Sequence, residues 1–240
     1  MTASTALVTG ATGGIGLHIA RQLAQQGWTV LVGARDQARG AEVAAQFGGH
    51  PLLLDVTDAS TIASAAATVG ELDVLVNNAG ISLDTGAPVT ETDVEVFRRT
   101  YETNVFGVVA VTNAFLPALR RSAHPRIVNV SSGTGSLTWS TGPNPQFDYQ
   151  AAGTGSGAAY RSSKTALDAL TVFYAQALAG DGFKVNALAP GLRATNLNPQ
   201  AAGAGGDPAE AAAGAVRLAM LPADGATGQL FSWDGTVVPW

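Results

Sequence analysis

The stretch Thr9-Gly10-Ala11-Thr12-Gly13-Gly14-Ile15-Gly16 decides the fold of this chain. It follows a short apolar run typical of a first strand and leads into a segment with helical spacing of its apolar residues. Gly10 permits a tight turn, Gly14 lets a pyrophosphate approach the backbone, and Gly16 allows the helix to pack closely on the strand. The helix N-terminus then offers free N–H groups and partial positive charge to a phosphate. Glycine is frequent here, at 29 of 240 residues, but its placement between strand and helix predicts a dinucleotide-binding site.

Short β-branched runs alternate with Ala- and Leu-rich segments along the chain. The predicted strands are Ala6–Thr9, Thr29–Gly33, Pro51–Leu54, Val74–Val76, Arg126–Val130, Lys184–Leu188 and Gln229–Ser232. The predicted helices are Ile15–Gln26, Gln37–Phe47, Ser60–Val69, Glu91–Leu119, Ala159–Ala179 and Pro208–Leu221. This alternation predicts a doubly wound Rossmann fold of the α/β class, a seven-stranded parallel sheet with helices on both faces. We expect residues 1–240 to form one domain of this kind.

Composition and charge exclude several classes of function. The formal net charge is −5, from 13 basic and 18 acidic residues with no basic run, so we expect no nucleic-acid partner. There is no cysteine, and the three histidines lie far apart, so we expect no metal site. The apolar stretch near 105–119 is interrupted by Gly107 and Pro117, which argues against a membrane span. The N-terminus shows no secretion-signal pattern, and we expect a cytoplasmic protein.

The end of the second predicted strand favours one dinucleotide over the other. NAD-binding proteins commonly place an acidic residue there, bonded to the ribose 2′-hydroxyl. Here the position is Ala34, followed by Arg35, whose guanidinium suits a 2′-phosphate. Asp36 comes one position too late and is better placed to cap the next helix, and Arg39 either assists Arg35 or is solvated. The sequence therefore predicts NADPH/NADP+ as the cofactor.

A tyrosine and a lysine four residues apart, Tyr160 and Lys164, lie on a predicted helix. Residues at this spacing share one helix face, so both head groups project together. A free tyrosine titrates near pH ~10, and a neighbouring ammonium lowers its pKa by favouring the phenolate. Lys164 is one of only two lysines in the chain, against 11 arginines, which indicates that a compact ammonium suits this position. A pair with packing value only is the alternative where such a motif stands alone.

This motif does not stand alone, because from Thr9 to the C-terminus the chain resembles the short-chain dehydrogenase/reductase family, of the short single-domain type. Further motifs follow in the family's order: Asp55-Val56, Asn77-Asn78-Ala79-Gly80, Asn104, Val128-Asn129-Val130-Ser131-Ser132, and Pro190-Gly191 with Thr195. The segment Val32–Asp36 with Arg39-Gly40, and the ending Asp234-Gly235…Pro239-Trp240, resemble the carbonyl-reductase-like members most.

The resemblance implies an oxidoreductase that moves a hydride between NADPH and the carbon of a small-molecule carbonyl or alcohol. By that resemblance Ser132 and Tyr160 hydrogen-bond the substrate oxygen, Tyr160 is the general acid/base, Lys164 holds the ribose and supports the phenolate, and Asn104 holds a water for proton relay. The implied catalytic residues are therefore Asn104, Ser132, Tyr160 and Lys164. The implied cofactor-binding residues are Gly10, Thr12, Gly13, Gly14, Ile15, Gly16, Arg35, Asp55, Val56, Asn77, Ala79, Gly80, Tyr160, Lys164, Pro190, Gly191, Leu192 and Thr195.

Two features depart from the family's commonest pattern. Position 13 is Gly where some NADPH users carry a basic residue, so phosphate recognition would rest on Arg35. Ser132 and Tyr160 are 28 positions apart, further than in most members, and the insertion falls in the stretch Gly133–Gly157. Its apolar residues either wall a substrate pocket or anchor the loop. The predicted pocket residues are Leu137, Trp139, Phe147, Tyr149 and Leu192, with Trp240 as a further candidate.

Other readings of the sequence stay open at this point. A non-catalytic NADP-binding regulatory protein could use the same fold, since fold does not fix function. A sugar epimerase or dehydratase needs a longer C-terminal segment than follows Thr195. Arg193 either holds a substrate anion or is solvated. For assembly, the insertion beside a helix that often forms subunit contacts in the family favours a monomer or homodimer over a tetramer.

Overall fold

Seven parallel strands form the body of the sheet in the computed structural model, which describes residues 4–144, 155–197 and 205–240. The strands are β1 Thr5–Thr9, β2 Thr29–Ala34, β3 His50–Leu53, β4 Val74–Asn77, β5 Arg126–Val130, β6 Lys184–Ala189, β7 Leu230–Ser232 and β8 Val237–Val238. Their order across the sheet is β3-β2-β1-β4-β5-β6-β7-β8. The predicted doubly wound α/β fold is confirmed.

The prediction of seven strands was one short. β8 pairs antiparallel with β7, Leu230 opposite Val238 and Phe231 opposite Val237. The chain reverses between them through a turn that includes Gly235, whose φ of 97° few other residues adopt. A two-residue strand has no periodicity that a sequence pattern could reveal.

Helices cover both faces of the sheet. They are α1 Gly14–Gln25, α2 Gln37–Ala45, α3 Ala59–Thr68, α4 Val94–Tyr101, α5 Gly107–Leu119, α6 Leu137–Thr141, α7 Ala158–Ala177 and α8 Pro208–Ala219. Short 3₁₀ turns lie at Val89–Glu91, Gly133–Gly135 and Ala179–Asp181. Aspartates cap several of these helices, and Asp36 accepts a hydrogen bond from the Arg39 N–H at 2.9 Å, as predicted. Among the described helices, none is long and apolar enough to cross a membrane.

The helix predicted over Glu91–Leu119 is not continuous. A π-helical segment, Glu102–Phe106, separates α4 from α5. A π turn adds one residue to the helical ring, and such turns occur often at functional sites. The added residue shifts the helical spacing by one position, and a shift of this size is too small to recognise in a single sequence.

Each face of the sheet has its own hydrophobic core. Consecutive residues of a strand point to opposite faces. On β1, Val8 packs in the cluster beneath α1 and α8, whereas Leu7 packs in the cluster beneath α3 and α5. Both side chains are fully buried. Burial on both faces explains why the strands are almost continuously apolar in sequence.

The strand order places the site. After β1 the chain turns towards β2, whereas after β4 it turns towards β5, so the direction reverses between β1 and β4. Loops that leave the carboxyl ends of neighbouring strands on either side of such a point diverge and open a crevice. The loops after β1, β4, β5 and β6 therefore meet at one edge of the sheet.

Candidate active site

The turn after β1 has a conformation that depends on glycine. Gly10 has a φ of 62°, and a Cβ there would lie 3.0 Å from the Cα of Ala79. A Cβ at Gly16 would lie 2.7 Å from the carbonyl oxygen of Gly10. The N-cap of α1, Gly13, makes no side-chain capping bond. The backbone N–H groups of the first turn thus remain available to an anion, as a pyrophosphate site requires.

A cleft of about 790 Å³ opens above this turn. Its volume is in the range of small-molecule and cofactor sites. The predicted residues that line it are Gly10, Thr12, Gly13, Gly14, Ile15, Gly16, Arg35, Asp55, Val56, Ala79, Gly80, Tyr160, Lys164, Pro190 and Thr195. Gly14 and Thr195 face each other closely, since a Cβ at Gly14 would lie 3.4 Å from Thr195 Cγ2. The glycine turn, the cleft volume and the two residues of the Tyr–Lys motif together fit a dinucleotide.

Three predicted cofactor residues do not line the cleft. They are Asn77, Gly191 and Leu192. The Asn77 side chain is buried and donates hydrogen bonds to Asn129 Oδ1 at 2.9 Å and Thr112 Oγ1 at 3.0 Å. It therefore joins β4 to β5 and α5. Its neighbour Asn78 lines the cleft instead and donates to the carbonyl oxygens of the glycine turn.

The end of β2 presents one arginine to the cleft. Ala34 and Arg35 both line it, and Arg35 is exposed. Arg39 lies outside the lining and pairs with Glu42 at 2.6 Å on the surface of α2. Because Asp36 is engaged in capping α2, its carboxylate stabilises the helix there.

Tyr160 and Lys164 lie on one face of α7, as predicted. The Lys164 ammonium lies 5.6 Å from the centre of the Tyr160 ring and donates a 2.8 Å hydrogen bond to the carbonyl oxygen of Val130 on β5. Lys164 is only 4% exposed. Burial lowers its pKa to about 8, and the charge of Asp168 opposes that shift. A cation at this position favours the phenolate form of a neighbouring tyrosine.

Asp168 was not singled out in the sequence. It lies one helical turn beyond Lys164, and its Oδ1 accepts a 2.5 Å hydrogen bond from Ser131 Oγ. Burial raises the pKa of Asp168 to about 7, while Ser131 and Lys164 act in the opposite direction. The spacing of Tyr160, Lys164 and Asp168, at i, i+4 and i+8, places all three on one face and was the available signal.

Ser132 follows directly after Ser131 at the end of β5. Ser131 is buried and turned towards Asp168, whereas Ser132 is half-buried. Ser132 Oγ lies 2.9 Å from Thr134 Oγ1 and accepts a hydrogen bond from the Thr134 N–H at 3.2 Å. The extended backbone that follows β5 thus turns the two serines in different directions, and of the two it is Ser131 that lines the cleft. The repeated residue type in the sequence could not distinguish them.

Asn104 lies in the π segment and is fully buried. Its Oδ1 accepts from the Ile81 N–H at 2.8 Å, and its Nδ2 donates to the Ile81 carbonyl oxygen and to Ser163 Oγ at 3.0 Å. One amide side chain therefore joins the loop after β4 to the turn of α7 between Tyr160 and Lys164.

The described part of the insertion is anchored to the protein body. Trp139 packs against a core cluster that includes Leu230 and Val238, and it lies outside the cleft lining. Leu137 is exposed, and the carbonyl oxygen of Trp240 accepts a hydrogen bond from the Thr138 N–H at 3.1 Å. Of the two roles that the sequence left open, pocket wall and loop anchor, the contacts of Trp139 are those of a loop anchor. Phe147 and Tyr149 lie outside the described residues.

The interpretation of Arg193 as a solvated side chain was wrong. The side chain is buried, with its Nε donating to the Pro190 carbonyl oxygen at 2.6 Å and its Nη1 pairing with Glu210 at 2.6 Å. The guanidinium also lies 4.4 Å from the centre of the Trp233 ring. Arg193 therefore fastens the loop after β6, because the turn at Gly191 directs it inward. Glu210 and Trp233 lie 17 and 40 positions later in the sequence, so no local pattern indicated these two partners.

The N-terminus of α7 is capped from a distant segment, which sequence reasoning also missed. Its N-cap, Gly157, has no side chain, but Asp84 accepts hydrogen bonds from the backbone N–H groups of Ala159 at 3.1 Å and Tyr160 at 3.0 Å. Asp84 lies in the loop after β4. A carboxylate at a helix N-terminus is stabilised by the free N–H groups and the helix dipole.

The fold and the cleft define the class of this protein, an α/β protein built to bind a dinucleotide. Residues 4–145 match the family model for short chain dehydrogenases, which spans more than half of the chain. The chain belongs to the short-chain dehydrogenase/reductase family and is an oxidoreductase of that family. Within the described ranges, no group of three or more His, Cys, Asp or Glu side chains is arranged to hold a metal.

Relatives and solved structures of the family match nearly the whole chain. The short-chain dehydrogenase anuI of Penicillium roqueforti is 35% identical, over 94% of this chain and 90% of its own length. Salutaridine reductase of Papaver bracteatum is 32% identical, over 93% and 92%. The structure of an ElxO variant with NADPH bound has a TM-score of 0.81 at 27% identity, covering 97% of both chains. The 3-ketoacyl-(acyl-carrier-protein) reductase of Brucella melitensis complexed with NADH has a TM-score of 0.80 at 26% identity, covering 95% and 96%.

The distant cap gives a testable prediction. Asp84→Ala should lower the free energy of unfolding by about 1 kcal/mol, the usual cost of losing a helix cap. It should also lower kcat severalfold, because Tyr160 lies in the first turn that Asp84 holds. Denaturant unfolding and steady-state kinetics measure the two effects. The matched control is Asp58→Ala, which removes the cap of α3. Equal losses of stability with an unchanged kcat in both variants would contradict the positioning role of Asp84.

Proposed function

We propose that this chain is an NADP(H)-dependent oxidoreductase that reduces ketone or aldehyde carbonyls, or oxidises the matching alcohols, with Tyr160 as the general acid/base. The observation that carries the proposal is the Lys164 ammonium, buried 5.6 Å from the Tyr160 ring in the cleft that also contains the glycine turn. Residues 1–240 act in this proposal as one oxidoreductase domain. Its cytoplasmic location stays a prediction from the sequence.

The residues of the cleft divide the cofactor among them. The N-terminus of α1 binds the pyrophosphate through its backbone N–H groups, and Arg35 binds the 2′-phosphate with a charge-assisted hydrogen bond. Asp55 and Val56 flank the adenine, and Lys164 binds the ribose hydroxyls. Pro190 and Thr195 line the cleft on the side of the loop after β6, where the carboxamide would bind. When bound, the cofactor supplies the hydride.

The protein residues handle the oxygen and its proton. Ser132 and Tyr160 donate hydrogen bonds to the carbonyl oxygen and so polarise the carbon, and Tyr160 transfers its proton to the oxygen as negative charge develops there. The Lys164 ammonium then stabilises the phenolate that remains, at ~1.4 kcal/mol for each unit of pKa. Asn104 holds the loop after β4 against α7 through its hydrogen bonds to Ile81 and Ser163. A water beside the π turn that contains Asn104 would return a proton to Tyr160.

The role of Tyr160 can be tested by removing its hydroxyl. Tyr160→Phe should retain less than a tenth of the wild-type kcat with a panel of ketones, aldehydes and quinones, because no other proton donor is assigned at that position. NADPH binding, followed by fluorescence, should survive. Tyr174→Phe is the matched control, since Tyr174 lies on the same helix and bonds Asn113 at 2.8 Å. Wild-type protein that binds NADPH but turns over no member of the panel would favour a regulatory protein instead.

The cofactor preference can be tested at the end of β2. A hydrogen bond to a charged group is worth ~1.5–3 kcal/mol, so wild type should prefer NADPH by roughly 10- to 150-fold in kcat/KM. The double variant Ala34→Asp, Arg35→Ile should reverse that preference. Arg39→Ile is the control, because Arg39 pairs with Glu42 outside the cleft lining. Equal kcat/KM values of wild type for NADH and NADPH would contradict the assignment of Arg35.

The assembly proposed is a monomer or homodimer. Phe106 and Phe173 expose 56% and 59% of their surfaces on the π segment and α7, which supports pairing through these helices. β8 is an edge strand of only two residues, and short edge strands disfavour further pairing along the sheet, which supports an assembly no larger than a dimer. Light scattering coupled to size exclusion at micromolar concentration should give one or two times 24.2 kDa. A mass near four times that value would contradict the proposal.

A further inference from the structure

One buried acidic group has no part in the proposed reaction. Asp168 lies on α7 one turn beyond Lys164 and two turns beyond Tyr160, on the face turned towards the protein interior. It is 4% exposed. Moving a carboxylate from water into the protein interior is strongly unfavourable in free energy unless compensating charges or hydrogen bonds surround it. Its presence beside the two residues of the Tyr–Lys motif therefore requires a physical explanation.

The surroundings of Asp168 compensate a carboxylate only in part. Its Oδ1 accepts a 2.5 Å hydrogen bond from Ser131 Oγ. Its Oδ2 has no hydrogen-bond partner among the described residues. A Cβ at Gly135 would lie 2.7 Å from this Oδ2 and 2.9 Å from the carbonyl carbon of Lys164. The serine supplies a donor and the glycine supplies the space, but neither supplies a positive charge.

The Lys164 ammonium is in the complementary position. Its described partners are uncharged: the Val130 carbonyl oxygen at 2.8 Å and the Tyr160 ring at 5.6 Å. No carboxylate oxygen of the described residues lies within 4.0 Å of Lys164 Nζ. Two buried groups of opposite charge therefore lie one turn apart on the same helix without direct contact. In a medium of low dielectric constant their attraction persists over such separations.

We propose that Asp168 is a positioning residue that keeps the buried Lys164 ammonium charged, and that it thereby sets the pH range in which Tyr160 can act. This inference rests on the proposed function for its catalytic consequence, but the effect of Asp168 on Lys164 stands apart from turnover. Asp168 touches neither substrate nor cofactor and acts through Lys164.

Few other charges face this part of the cleft. Tyr160 lies on the same helix, and Asp84 bonds the N-terminus of that helix. From α4 and the π segment, Arg99 and Glu102 line the same cleft. The 3₁₀ turn Gly133–Gly135 has no ionisable side chain.

Two charges on neighbouring elements are engaged elsewhere. On β5 the Arg126 guanidinium bonds the Leu221 carbonyl oxygen. Asp181, in the 3₁₀ turn after α7, pairs with Arg120. Among the acids that the structure describes around Lys164, Asp168 is the one that is buried.

The sign of the effect follows from electrostatics. A nearby negative charge opposes the loss of a proton from both an ammonium and a phenol. Replacing Asp168 by asparagine removes that charge, so the pKa of Lys164 should fall, and the first deprotonation of the coupled Tyr160–Lys164 pair should occur at lower pH. The descending limb of the pH profile for carbonyl reduction should move to lower pH with it.

The titration of Lys164 can be observed directly, because the chain has only two lysines, Lys164 and Lys184. Protein labelled with ¹³C at lysine Cε gives two signals, which Lys184→Gln assigns. In Asp168→Asn the pKa of Lys164 should fall by about one unit or more from the wild-type value, a tenfold change in the proton equilibrium, while Lys184 stays unchanged. Asp181→Asn is the matched control, because it removes a carboxylate that lies beyond the far end of α7 and pairs with Arg120 on the surface, and it should shift Lys164 by less than half as much.

Each outcome decides the inference. A folded Asp168→Asn protein in which the pKa of Lys164 is unchanged overturns it, and so does an equal shift in Asp181→Asn. If Asp168→Asn does not fold, the wild-type protein labelled with ¹³C at aspartate Cγ serves instead. A carboxyl group that titrates above pH ~6, in step with an inflection of the Lys164 signal, then supports the inference, and the absence of one overturns it. Failure of the proposed reaction would appear as a lack of turnover in wild type and would leave these titrations unaffected.

Discussion

The burial of the Lys164 ammonium is the constraint around which the site is arranged. A charge taken from water must find compensation within the protein. At Lys164 this compensation comes from the Val130 carbonyl oxygen, the Tyr160 ring and the more distant Asp168. The end of β5 and the face of α7 must therefore lie close together, and the parallel sheet with its covering helices provides that arrangement.

Helix α7 is held in this position by side chains from several parts of the chain. Asp84 caps it from the loop after β4, and Asn104 bonds Ser163 from the π segment. Thr165 Oγ1 donates to the carbonyl oxygen of Gly135 at 2.7 Å, from the opposite side. These polar contacts are directional, whereas apolar packing alone would let the helix slide or rotate by a fraction of a turn. Directional contacts therefore fix the distance between Tyr160 and the glycine turn.

The parts of this structure that sequence reasoning could predict are those with local causes. The glycine turn after β1, the cap at Asp36 and the shared face of Tyr160 and Lys164 each follow from residues a few positions apart. The strands could be predicted because burial on both faces makes them apolar throughout.

The parts that were missed have distant causes or too short a pattern. Asp84 caps a helix 75 positions later, and Arg193 pairs with Glu210, which lies 17 positions later on another element. The strand β8 has two residues and the π segment has five, and segments this short cannot be recognised from the periodicity of apolar residues. The alternation that separates Ser131 from Ser132 depends on where β5 ends, which is the least predictable property of a strand.

The described part of the insertion is attached to the protein body by both apolar and polar contacts. Trp139 is packed into the cluster under β7 and β8, and Thr138 is bonded to the carbonyl oxygen of Trp240. Arg161 reaches from α7 to Ser140 and to the Ser156 carbonyl oxygen, so it touches both described ends of the insertion. An aromatic side chain that anchors a loop in this way is not free to contact a ligand.

The apolar lining of the cleft in the described residues comes from other segments. Ile81 and Leu83 line it from the loop after β4, and Leu197 lines it from the loop after β6. The first of these loops is fixed by Asn104 and Asp84, and the second is fastened by Arg193. Because each fastening is a buried or helix-capping polar contact, the side chains of Ile81, Leu83 and Leu197 can be replaced without removing the contacts that hold either loop.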